Sequence, residues 1–82
     1  VVNYHRQMLE RAAEAIEAQP SARREFAAVT VCIRAETVTD LKARVQRFCE
    51  EVLERCDRDQ ETEVVYQVNV QLFALAGGEV RR

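Results

Sequence analysis

The chain has 82 residues, 48% apolar and 32% charged. That is room for one domain with a single core, and the chain is too apolar for a disordered tail. Twelve basic against fourteen acidic residues leave a net charge of −2, so no chain-wide positive field exists to gather a phosphate backbone, and this stretch by itself is not a nucleic-acid binder. No apolar run approaches the ~18 residues of a membrane span, and the start Val1-Val2-Asn3-Tyr4-His5 lacks a basic-then-apolar signal pattern. A soluble, cytoplasmic chain is expected, and a first residue of Val rather than Met suggests a piece of a longer parent. A chain this short buries only about 60% of its unfolded surface, so help from a partner is expected.

Three cysteines, Cys32, Cys49 and Cys56, form an odd set, unlike the dense even frameworks of small secreted domains, and fit a reducing compartment. Cys49 and Cys56, seven apart on one expected helix, would be separated by about 10 Å of rise and cannot bridge within one chain. With His5 they would make a Cys3His set on paper, but closely spaced cysteine pairs of the C-x2-C kind are absent, so no metal and no cofactor are expected.

Residues 4–19 place Met8/Leu9, Ala12 and Ala15/Ile16 at helical spacing, with Asn3 positioned to cap the start and Pro20 ending the run. A polar turn follows at 21–25. Residues 26–35 then alternate, with Ala27, Val29, Val31, Ile33 and Ala35 on one face and Phe26, Ala28, Thr30, Cys32 and Arg34 on the other, which predicts a strand. Thr37-Val38-Thr39-Asp40 reads as a variant capping box opening a second helix over 38–57. Its stripe is Val38, Leu41, Val45, Phe48/Cys49, Val52/Leu53 and Cys56, with Asp40–Arg44, Glu51–Arg55 and Glu54–Arg58 as outward i,i+4 pairs. The stripe predicts a buried core in which the two helical thiols are inert. A charged loop leads to residues 64–75, a second alternating strand whose Val68 and Val70 should face the helices, and 77–82 reads as a flexible tail.

About twenty helical residues span ~30 Å, close to ten strand residues at ~3.3 Å, so the helix can return the chain to its starting end and the strands should run parallel. The expected fold is therefore α+β: an α-β-α-β two-layer sandwich over residues 1–76, a βαβ unit with a leading helix. Two strands leave unpaired edges whether they touch or leave a slot between them. A homodimer that joins them into one four-stranded sheet is the expected remedy.

Constellations for chemistry are thin. Ser21 is the lone serine, the only glycines are Gly77 and Gly78, and His5, expected as a half-buried structural histidine on the side of Leu9 and Ile16, has no evident acid partner, so no nucleophile, base and orienting group assemble and no enzyme is expected. The amide row Gln67, Asn69 and Gln71 is the notable surface feature, projecting from one sheet face about 7 Å apart. With Thr30, Arg34 and Tyr66 it is the candidate interface or ligand surface. Three readings stay open: an ordinary solvent-facing side, a ladder across a dimer, or a site for a small polar ligand whose identity the residues do not give. It lacks the stacking aromatics and basic surround of an RNA-recognition sheet.

The strings Asn3-Tyr4-His5-Arg6-Gln7-Met8-Leu9, Arg24-Glu25-Phe26-Ala27-Ala28-Val29-Thr30 and Val65-Tyr66-Gln67-Val68-Asn69-Val70-Gln71-Leu72-Phe73 resemble a bacterial paralogous family of hypothetical proteins. These are described as candidate transcriptional regulators, and their C-terminal part is a domain of unknown function. The usual closing motif Leu-Phe-Pro-Leu departs here, with Ala74 in place of the proline. The resemblance implies a helix-turn-helix region N-terminal to this stretch as the DNA-contacting part, leaving dimerisation or effector sensing to these residues. It supplies no catalytic residues. His5, Arg24, Thr30, Tyr66, Gln67, Asn69 and Gln71 match its motif positions.

Overall fold

A computed structural model describes residues 1–77. The described elements are α1 (Val2–Ala18), a single 3-10 turn (Ser21–Arg23) and α2 (Ala35–Cys56), with extended chain over 24–34 and 62–75. No strand is assigned among the described residues, so the expected α+β sandwich with a parallel two-stranded sheet is overturned: the regular structure is helical throughout. The reason lies in the backbone. No hydrogen bond joins residues 24–34 to residues 64–75, and alternation alone makes a segment extended without supplying the ladder that defines a sheet.

The helices stop where local chemistry says they should. At the end of α1, Gln19 turns extended (φ −114°, ψ 139°), the conformation that a following proline enforces. Arg24 closes the next turn: its Nε donates to the Gln19 carbonyl at 2.9 Å and its guanidinium lies 5.7 Å from the centre of the Phe26 ring. Neither expected N-cap forms. Val1 precedes α1, leaving Asn3 inside the helix, and Arg34 precedes α2, whose first turn already contains Thr37. Glu36 in that turn and Arg55 in the last have the signs that the helix dipole favours.

Of the expected i,i+4 pairs, Asp40–Arg44 forms at 2.9 Å, whereas Arg55 reaches past the helix end to Asp59, also at 2.9 Å. That hydrogen bond to the Asp59 carboxylate raises the Arg55 pKa above its already high ordinary value, so the group stays charged. In the loop beyond, Glu61 takes a left-handed φ of 56°, a conformation that costs a non-glycine residue about 1 kcal/mol.

Each helix turns one stripe inward, but only halfway. Met8, Ala12 and Ala15 are the half-buried residues of α1; Thr37, Leu41, Val45 and Val52 are those of α2. No described residue is buried, and Cys32, Cys49 and Cys56 are all exposed, which corrects the expected core and its inert thiols. The accessible area is 8407 Å², against about 5,000 Å² for a compact monomer of this mass. The radius of gyration is 15.7 Å, where about 12 Å is expected for 82 residues and about 15 Å for twice that number. One chain therefore occupies the span of a compact object made of two.

Candidate functional site

The extended segment 64–75 is fastened to α1 by two side chains. Gln67 donates from Nε2 to the Tyr4 hydroxyl at 3.3 Å and to Asn69 Oδ1 at 3.0 Å. Asn69 in turn donates from Nδ2 to the Met8 carbonyl at 3.0 Å. Two strand residues advance about 6.6 Å and four helical residues about 6 Å, so Gln67 and Asn69 meet Tyr4 and Met8 in step and the segment runs in the same direction as α1. The same step carries Gln71 to Ala12, which has no polar side chain to offer. Gln71 makes no side-chain hydrogen bond among the described residues.

This contact corrects which face turns inward. Val68 and Val70 were to face the helices, yet they are 52% and 41% exposed, and Asn69 is the half-buried residue of the segment. The row Gln67, Asn69, Gln71 lies along a cleft of about 490 Å³ lined by residues 67–72, by Tyr4, His5 and Leu9 of α1, and by Cys49 of α2. His5 lies edge-on to Tyr4, with ring centroids 5.8 Å apart, and is exposed rather than half-buried. A smaller concavity of about 230 Å³ lies within the loop 59–64 and brings together no residues distant in the chain.

The remaining candidates are not gathered here. Arg34 pairs with Glu36 at 3.1 Å, Thr30 is exposed on the other extended segment, and Tyr66 is exposed beside the cleft without lining it. Tyr4 is the residue that sequence reasoning missed. Its place one helical turn before Met8, matched to the two-residue step of the amide row, was the available signal. Among the described residues no three His, Cys, Asp or Glu side chains could together hold a metal ion, and no helix is long and apolar enough to cross a membrane. Chemically, the cleft offers hydroxyl, amide and imidazole groups beside apolar surface.

No curated protein and no solved structure matches the chain. The model of a family described as a domain of unknown function (DUF4423) matches residues 1–75, nearly the whole chain. That agrees with the domain of unknown function implied by the resemblance, and the chain belongs to the DUF4423 family.

Proposed function

We propose that this chain is a non-catalytic self-association module: the dimerisation or effector part of a bacterial, cytoplasmic transcriptional regulator whose DNA contact is made elsewhere in the parent. The observation that carries the reading is missing burial. The chain exposes about 3,400 Å² more than a compact monomer of its mass would, and Val29, Val65 and Leu75 are 88%, 100% and 72% exposed. At roughly 25 cal/mol per Å² of apolar surface, such exposure is a large driving force for a partner. Pairing by two-fold symmetry is also what lets two DNA-reading parts meet two half-sites.

Size-exclusion chromatography with light scattering tests it. Twice the 9.4 kDa chain mass at micromolar concentration is expected; a folded particle of single-chain mass contradicts it.

A second reading, a small-molecule sensor, is favoured by the cleft where Tyr4, Gln67 and Asn69 converge. A polar metabolite that raises the melting temperature by mass action, with the gain lost in Tyr4→Phe, would support it.

A further inference from the structure

Resting on the self-association reading above, we propose that residues 67–72 pair antiparallel with the same residues of a second copy, the two-fold axis passing beside Val70. Six consecutive residues, 67 through 72, line the cleft. Side chains of extended chain alternate between faces, so a groove on one face would touch every second residue; unbroken lining places the groove along the edge, where the backbone amides and carbonyls point. No backbone hydrogen bond reaches that edge from any described residue. A strand of matching length is the occupant that satisfies a row of backbone groups.

The amount of surface to be covered selects a second copy. An ordinary complex removes about 800 Å² from each partner, and only large obligate interfaces of the homodimer type approach the excess seen here. The 15.7 Å radius of gyration, against about 12 Å for a compact chain of this length, likewise describes a chain that does not close on itself.

The register follows from the side chains. Directly opposed residues of an antiparallel pair share a face, so an axis between residues would set Val68 against Gln71 and mix apolar with amide positions. An axis beside Val70 sets Val68 against Leu72, Val70 against its own copy, and Asn69 against Gln71. It also supplies what Gln71 lacks. Asn69 Oδ1 accepts one bond, from Gln67, and its second lone pair is open to the Gln71 amide of the opposite chain.

Disulfide trapping tests the pairing, in the 82-residue chain carrying Cys32→Ser, Cys49→Ser and Cys56→Ser. In that background Val70→Cys places two thiols on directly opposed residues, whose Cα separation of about 4.5 to 5.5 Å lies inside the disulfide range. Under mild oxidation it should link into covalent dimers at least about tenfold faster than Val31→Cys, through the higher effective concentration of opposed thiols. If the serine background has dimer mass by light scattering but Val31→Cys links as fast or faster, self-association stands and this pairing is overturned. A folded, monomeric background overturns both. Hydrogen exchange on the unaltered chain covers the case in which Val70→Cys does not fold. Amides 67–73 should be protected in the dimer and lose protection on dilution; a dimer with those amides unprotected contradicts the pairing.

Discussion

Residues 64–75 and 24–34 share the same alternation of apolar and polar side chains, but only the first is fastened to a helix in its middle, at Gln67 and Asn69. Gln67 and Asn69 tie it to Tyr4 and Met8 of α1, and Val70 is 41% exposed. The other segment is held at its ends, by Arg24 on the Gln19 carbonyl and Arg34 at the start of α2, and Val29 between them is 88% exposed. The difference teaches what alternation does and what it leaves undone. It makes chain extended, and position then comes from a partner whose groups recur at the same spacing.

The largest expected effect sharpens this contrast. Val70→Lys puts two like charges opposite one another at the proposed axis, and the cost of burying unpaired charge, several kcal/mol, should abolish association and cooperative unfolding together. The same substitution at Val29 should be milder by at least about 2 kcal/mol, because that side chain has far less cover to lose. Equal effects in thermal denaturation would erase the distinction between the segments. Next is Asn69→Ala, which removes the bond to Met8 and should cost about 1 kcal/mol, against under about 0.5 kcal/mol for Thr30→Ala on the unfastened segment.

Smaller effects come from the connections. Arg24→Ala loses both the Gln19 carbonyl and the Phe26 ring and should cost about 0.5 to 1 kcal/mol. In the loop that leads to the fastened segment, Glu61→Gly relieves the left-handed φ and should stabilise by a few tenths of a kcal/mol, relief of about 1 kcal/mol being partly offset by the freer unfolded chain. The smallest is Asp40→Asn on exposed α2, about 0.3 to 0.5 kcal/mol in low salt and less in high salt. All three are read as shifts in chemical-denaturation midpoint.

The same contrast explains what the sequence made legible. Both helices were readable because a helix satisfies its own backbone. Of the expected stripes, Met8, Ala12 and Ala15 and Leu41, Val45 and Val52 turn inward, while Leu9, Ile16, Val38, Phe48, Cys49, Leu53 and Cys56 are exposed, so the spacing marks the inward faces only in part. Their first turns were misread at Asn3 and at Thr37, since neither residue caps and both helices begin earlier than the side chains suggested. The extended segments were placed along the chain by alternation, but a sheet was not theirs to make, because a ladder needs a second backbone that the chain does not bring to them. Gln67, Asn69 and Gln71 stood out as a row. That Asn69 rather than Val68 turns to α1 depends on the Met8 carbonyl, a backbone group that no pattern of side chains reveals.

The most direct measurement is the midpoint of thermal unfolding as a function of chain concentration. If burial and sheet are completed only between chains, the midpoint should rise by about 5 to 10 °C from 1 to 100 μM, following mass action. A cooperative transition whose midpoint stays constant over that range would show that one chain completes its own fold, and would contradict the account.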